Sequence, residues 1–438
     1  MTDTSYLSQL NRISDIRSSK DITGRLYSQS AGVICPLHGI VTLGGLIEDA
    51  AVLMIGAPEC MYYVKAGSLV RIKGQTLHNF FTYVMDENDV VFGSSKGLID
   101  AGVEVLREGS ITALFVVSSC VSELIGDDLD AIANEISIKT DKPVFPVHTL
   151  NYDHQCHDYF KAMERMLVSL SPVLRQQDTI ENTVNLLGRI FHGDATGSLR
   201  QSELAEMLLK YGVAINTEFP SKCQIKDITD LTKASLNIVT DRIGIELAKD
   251  MEERFSIPYV LFEATLSCQE IENAYSQIAQ YLHLDWQKDV STMLAETVSL
   301  KKEVASLVKD KTIISGCLPP DPFQSTAFLK ELTMRPLVVA AARLSRGSTQ
   351  SISYLLQNGE DPYVIHACER EPLEESLREL RPQFYVGHGD AAMVKSLGIR
   401  HLGCFMHEPN HLGFRSIKDF LSRLKEAAAW KGDYNATI

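Results

Sequence analysis

Cys35, Cys60 and Cys120 each follow a short apolar run and a turn, a place where a thiol is as apt to bind a ligand as to fill a core. Cys35 follows Ala31-Gly32-Val33-Ile34 and opens the turn CPLHG. Cys60 follows the run Ala51 to Ile55 through Gly56-Ala57-Pro58-Glu59, and Cys120 follows Leu114 to Val117 through Ser118-Ser119. Their wide separations do not suit a zinc ribbon, which uses paired C-x-x-C knuckles. They do suit thiolates gathered by a fold around an iron–sulfur cluster, whose soft irons favour sulfur. Packing is the competing explanation, because free cysteines are among the most buried small residues. Position alone leaves both readings open.

The elements that must place these thiols read as an α/β protein. Strand-like runs at 51–55, 114–117, 236–239, 312–314, 337–339 and 384–386 are continuous rather than alternating, as for strands buried on both faces of a parallel sheet. Most give way within a few residues to Gly, Ser, Pro or Asp and then to an amphipathic stretch, the rhythm of doubly wound sheets. In such sheets ligands collect beyond the carboxyl ends of the strands, which is where the three thiols fall. A helical region at 276–309, ending in KKEVASLVKDK, places one boundary near 310, and the break in SLSPVLRQQDTIENTVNLLG places another near 175. The expected organisation is an N-terminal extension at 1–27 and α/β domains at 28–175, 176–310 and 311–438. The first of these carries the cysteines.

Composition narrows the partners. The 438 residues are 45% hydrophobic and 22% charged, which excludes a disordered tail, a collagenous repeat and a small disulfide scaffold. A net charge of −14 gives no broad basic surface for nucleic acid. The polar start MTDTSYLSQLNRISDIRSSKD lacks the apolar core of a signal peptide, and no apolar run approaches the ~20 residues of a membrane helix. The expected location is cytoplasmic, where the nine cysteines stay reduced.

Three stretches resemble the nitrogenase component 1 family: CPLHGIVTLGGLIEDAAVLMIGAPEC, MDENDVVFGSSKGLIDA and LFVVSSCVSELIGDDLDAIA. That family has a Cys-Pro or Cys-x-x-x-Gly turn, a Gly-Pro-x-x-Cys loop, an acidic E-x-D-x-V-F-G segment and then Cys-x-x-x-Leu-Ile-Gly-Asp-Asp. All four have counterparts here in order, the second as Gly-Ala-Pro-Glu-Cys. The resemblance continues through VNLLGRIFHGDATGSLRQSELAEMLLKYGV and SLNIVTDRIGIELAKDMEERFSIPYV to RPQFYVGHGDAAMVKSLGIRHLG. It implies three Rossmann-like domains with parallel sheets and a paired subunit, homologous or identical. It further implies an iron–sulfur cluster, four-iron four-sulfur or larger and bridging, on Cys35, Cys60 and Cys120. An ATP-hydrolysing iron protein would donate electrons; the chain shows no Walker A loop of its own. The implied function is a nitrogenase-like reductase subunit acting on a small molecule or a metal cofactor. The alternative is a scaffold on which a complex metal cofactor is assembled.

One departure bears on that choice. Catalytic alpha subunits of the family carry a cofactor-binding cysteine just after the SLNIVT-like strand, where this chain has Asp241. Near the expected second cofactor ligand stand Cys404 and His407, neither in clear register. A second metal centre is therefore left undefined, and the substrate cavity is expected near Asp241 and Gly403-Cys404. Asp241 reads more simply as a helix cap. The His148, His154, His157 and Cys156 patch reads as a hydrogen-bonded set at a helix start. Gly387 to Ala392 mimics a dinucleotide fingerprint, but Glu408 is poorly placed as its acidic partner. Asp127 and Asp128 read as charges stabilising a helix start.

Overall fold

A computed structural model describes residues 6–22, 35–71, 79–150, 159–188, 198–221, 223–316, 321–341, 343–345, 347–366, 370–387, 391–403 and 412–429. Strand β1 (Ala50–Gly56) sets the pattern for the first sheet, because every residue in it is buried. Side chains alternate across a strand, so both faces need cover. Val52 and Met54 enter one apolar cluster, Leu53 and Ile55 another. Strands β2 (Phe80–Val84), β3 (Ala113–Val117) and β4 (Val144–Val147) join it in the order β2-β1-β3-β4, all parallel.

Among the described residues, seven helices serve this sheet: α1 (Pro36–Gly44), α2 (Pro58–Arg71), α3 (Glu87–Phe92), α4 (Ser95–Arg107), α5 (Cys120–Ile125), α6 (Leu129–Thr140) and α7 (Tyr159–Ser169). Leu37 and Ile40 of α1 and Met163 and Met166 of α7 cover one face. Leu98 and Ile99 of α4 and Ile132 and Ile136 of α6 cover the other. The α4 sequence buries Leu98, Ile99, Gly102, Val105 and Leu106, a helical spacing that leaves its charged residues outward. Gly102 is needed there, since a Cβ would stand 2.5 Å from Ile136 Cδ1. Asp127 and Asp128 act as the sequence suggests. Asp127 accepts from the Ser94 amide and hydroxyl just before α4, and Asp128 caps α6 through the Ala131 amide.

The second sheet joins β5 (Ile180–Leu187), β6 (Ala214–Phe219), β7 (Ala234–Val239) and β8 (Tyr259–Leu261) in the parallel order β6-β5-β7-β8. Helices α8 (Glu203–Lys210), α9 (Ile225–Thr229) and α10 (Ile245–Phe255) accompany it. Its buried amides satisfy one another: Asn216 donates to Asn185, and Asn185 donates to Asn237, each at 2.8 Å. Residues Ala31–Arg200 and Ala205–Phe262, with both sheets, form one compact unit.

Met1–Ser30, Gln201–Leu204 and Glu263–Ile438 form the other. Its parallel sheet has the order β11-β10-β9-β12-β13, from β9 (Thr312–Ser315), β10 (Arg335–Ala341), β11 (Tyr363–His366), β12 (Phe384–Val386) and β13 (Arg400–His401). Helices α11 (Cys268–Leu282) to α17 (Phe414–Ala429) belong to it: α12 (Gln287–Val308), α13 (Pro322–Glu331), α14 (Ser348–Gln357), α15 (Arg370–Leu380) and α16 (Ala391–Ser396) lie between. The stretch expected as one helical region at 276–309 is two helices. His283 ends α11 in a left-handed conformation (φ 53°), and Trp286 turns inward to donate its indole N–H to the Tyr275 carbonyl. Residues 6–22 also pack on this unit. Ile13 is fully buried, and Arg12 pairs with Tyr363 in an antiparallel bridge that covers the edge strand β11.

In all three sheets the first strand is central and the chain then grows to either side. Topological switch points therefore fall between β1 and β3, β5 and β7, and β9 and β12.

A buried carboxylate fastens the last helix. Glu203 accepts from the Phe414 and Arg415 amides at 2.8 Å and from the Tyr275 hydroxyl at 3.0 Å. Two of the orphan donors at the α17 N-terminus are thereby satisfied. Burial raises its pKa above the usual 4.5, against the opposing pull of those hydrogen bonds. A raised folded-state pKa means that the folded protein keeps this proton to higher pH than the unfolded chain does. The stability so contributed is complete below the unfolded value and is lost as pH rises through the folded one. Denaturant unfolding of the wild type and Glu203→Gln, compared from about pH 4 to 7, should show wild-type stability falling relative to the variant. The variant should itself lose about 1–3 kcal/mol, because its amide N–H faces a backbone N–H. Parallel pH profiles would contradict this reading of Glu203.

Candidate functional site

The three cysteines gather at the switch point of the first sheet. Strand β1 ends at Gly56, and Cys60 lies in the first turn of α2. Strand β3 ends at Val117, and Cys120 is the first residue of α5. Cys35 stands immediately before α1, with Pro36 in the first helical position, where its missing N–H costs nothing. Residues 31–34, the run expected to precede Cys35, lie outside the described residues. All three thiols are free and half-buried.

Their sulfurs interact. The Cys60 thiol donates a hydrogen bond to Cys120, and Cys35 feels the charge of Cys120 and in turn acts on Cys60. That hydrogen bond raises the Cys60 pKa, with burial and the neighbouring Cys120, Cys35 and Glu59 adding to it. The same bond lowers Cys120, helped by the amides of Cys120 and Val121 and opposed by burial. Burial dominates at Cys35 and raises it, against the amides of Leu37 and His38. Cys60 and Cys120 are thus coupled through that hydrogen bond, and amides are directed at the sulfurs of Cys35 and Cys120.

Polar groups around Cys120 are firmly held. Ser118 Oγ and the Leu150 amide both donate to Glu123 Oε1, at 2.5 and 2.9 Å. The Thr149 amide donates to Ser118 Oγ, and Arg165 donates to the Thr149 carbonyl at 2.8 Å. Ser119 Oγ and Glu123 Oε2, by contrast, are buried without a partner, a state that costs about 1–3 kcal/mol per group in a packed interior. Gly56 keeps the space beside Ser119 open, since a Cβ there would stand 2.9 Å from Ser119 Oγ and 2.7 Å from Met61 Cε. Soft sulfur donors, amides aimed at sulfur and an unspent hydroxyl proton fit a sulfur-rich metal cluster. Among the described residues no three His, Cys, Asp or Glu side chains close on a single ion. A cluster gives each thiolate its own iron, so its ligands need not converge on one point.

The helices that carry Cys60 and Cys120, and the neighbouring α3, bear exposed hydrophobic side chains. Tyr62 and Tyr63 of α2, Val91 and Phe92 of α3 and Leu124 of α5 are all at least 65% exposed. Sequence reading missed them, and it missed Ser119 and Glu123. The available signal was the run of apolar residues between polar ones in ENDVVFG and CVSELIGDD.

The other candidates are placed plainly. Asp241 caps the turn Arg242–Gly244 through the Ile243 amide at 3.2 Å. Gly188 (φ 111°) lies against it, leaving only 2.4 Å between an added Cβ and the Asp241 carbonyl. His148 forms an exposed pair with Asp130 at 2.8 Å. His154, Cys156, His157, His388, Cys404, His407 and Glu408 lie outside the described residues. No described helix is long and apolar enough to cross a membrane.

The sulfur arrangement makes a prediction for the metal-free, reduced protein. Cys120, whose pKa the hydrogen bond from Cys60 lowers, should react first with a maleimide near neutral pH, before Cys60 and Cys35. Cys60→Ser should alter the Cys120 labelling rate, whereas Cys268→Ser, on α11, should not. Mass-spectrometric mapping in which Cys60 is labelled ahead of Cys120 would refute the direction of that hydrogen bond.

Comparison with known proteins agrees with this geometry. A family model described as nitrogenase component 1 type oxidoreductase matches residues 35–428. The nitrogenase iron-molybdenum cofactor biosynthesis protein NifE of a Nostoc species is 30% identical over 367 residues, covering 81% of this chain and 74% of the relative. The protein of the same name from Rippkaea orientalis is 26% identical over 303 residues, and the match spans only 59% of that relative's length. The nitrogenase molybdenum-iron protein alpha chain of Methanothermococcus thermolithotrophicus is 23% identical over 408 residues, 87% of this chain and 83% of that one. Among solved structures, nitrogenase Cp1 at pH 6.5 superimposes with a TM-score of 0.71 over 90% of this chain and 91% of the other, at 12% identity, a likeness of fold. With its family model running from Cys35 nearly to the end of the last described helix, the chain belongs to the nitrogenase component 1 type oxidoreductase family.

Proposed function

We propose that this chain is a subunit of a nitrogenase-like two-component reductase, holding an iron–sulfur cluster on Cys35, Cys60 and Cys120. The observation that carries the reading is the meeting of three interacting thiols at one switch point. Bound there, a four-iron or larger cluster would supply one-electron transfer. The protein's part is local. Three thiolates hold the irons, amides of Leu37, His38 and Val121 offset the negative charge on Cys35 and Cys120, and half-burial limits water.

Three cysteines leave one iron of a four-iron cluster without a thiolate, since such clusters usually take four. We infer that a second component 1 subunit, identical or homologous, completes the site or shares a larger cluster. Exposed Tyr62 and Tyr63 on the Cys60 helix, Leu124 on the Cys120 helix and Phe92 on α3 support a covered surface here. An ATP-hydrolysing iron protein is the electron donor in this reading, and a small molecule or metal cofactor the acceptor. The reactions take place in the cytoplasm.

A second reading is favoured by the NifE-named relatives and by Asp241, which caps a turn where catalytic alpha subunits carry a cofactor-binding cysteine. On it, the chain is an assembly scaffold that releases a finished metal cofactor. Turnover separates the two. With its iron protein under anaerobic conditions, a reductase consumes ATP while a substrate is reduced, whereas a scaffold accumulates a cluster and passes it on.

Both readings need the same ligands. Cys60→Ala should remove most of the iron from anaerobically purified protein, because metal binding depends on the full ligand set. Cys268→Ala should leave the iron content unchanged. Equal iron in the two variants would sink the ligand assignment.

A further inference from the structure

Only three buried side-chain polar atoms among the described residues lack a partner, and two of them, Ser119 Oγ and Glu123 Oε2, lie within three residues of Cys120. Ser119 is 1% exposed, so bulk solvent does not reach the unspent group. It precedes Cys120 directly, and its hydroxyl lies beside Gly56, the last residue of the strand that leads to Cys60. The Ser122 amide faces that hydroxyl in a capping-box arrangement but closes no hydrogen bond on it. An amide would in any case use only an oxygen lone pair. The hydroxyl proton still needs an acceptor.

The acceptors that a cluster brings are sulfurs, on its sulfides and on its ligating thiolates. A donor such as Ser119 suits them; a carboxylate oxygen such as Glu123 Oε2 does not. We propose that the Ser119 hydroxyl donates a hydrogen bond to a sulfur of the cluster held by Cys35, Cys60 and Cys120, and that this bond sets the cluster's potential. The inference rests on the cluster reading above. A donor to sulfur stabilises the more negative, reduced state, so its presence raises the midpoint potential. Ser119 is a positioning and tuning residue in this account and ligates nothing.

Ser119→Ala removes the donor and breaks no other side-chain hydrogen bond of the residue. Its midpoint potential, from a mediated redox titration followed by electron paramagnetic resonance, should shift downward at unchanged iron content. Ser119→Thr, which keeps the hydroxyl, should return it toward the wild-type value. Ser315→Ala, at the third unpartnered atom and on β9 of the other unit, should leave the potential where it was. Equal midpoints for wild type and Ser119→Ala, both fully loaded with iron, would overturn the inference while leaving the cluster intact as a reading. Iron lost from Ser119→Ala would also overturn it, by making the residue necessary for holding the cluster. Wild-type protein without iron or sulfide would instead bring down the cluster reading itself.

Discussion

Three sulfurs held together at one edge of a parallel sheet repel one another once they ionise, and the rest of the structure has to make that tolerable. Amides turned toward Cys35 and Cys120 favour their charged forms, and the hydrogen bond between Cys60 and Cys120 raises the Cys60 pKa while lowering that of Cys120. Irons would bring far more positive charge to the same place, which is why this group of atoms suits a cluster. Around it, Ser118, Glu123, Thr149 and Arg165 are linked by hydrogen bonds that hold the turn after β3, with Glu123 Oε2 left over.

That turn is supported by a sheet packed on both faces. Both faces of β1 and β3 are buried, under α1 and α7 on one side and α4 and α6 on the other. Interiors packed to this density leave few alternative positions for a strand end. Parallel topology then directs both carboxyl ends to one edge, and growth of the sheet to either side of β1 opens the crevice between them. The other two sheets repeat this plan with different residues at the switch. Between β5 and β7 the close approach of Gly188 to Asp241 fills the gap with backbone.

The strands before Cys60 and Cys120 were legible because continuous apolar runs such as AAVLMIG have one good fate, burial on both faces. The two thiols beyond them followed from topology alone. The caps were legible too: Asp128 and Asp241 do what a short carboxylate before a helical turn usually does. What the sequence withheld was tertiary. Nothing local marks Ser119 as unpartnered, since a serine before a helix normally spends its side chain on a cap. Nor does helical periodicity reveal that His283 and Trp286 divide one apolar stretch into two helices, because the break depends on an indole reaching the Tyr275 carbonyl. Glu203 and the amides that it binds are some 200 residues apart, a pairing that only the fold brings about.

The central claim is that Cys35, Cys60 and Cys120 hold an iron–sulfur cluster. Its most direct test is the iron and acid-labile sulfide content of the full chain purified without oxygen, read with its visible absorption. The account predicts iron and sulfide in roughly equal amounts, about four of each per cluster or more, and a brown chromophore that oxygen bleaches while the α/β fold persists. Folded protein that contains neither iron nor sulfide after strictly anaerobic purification, and takes up neither on reconstitution, would contradict it.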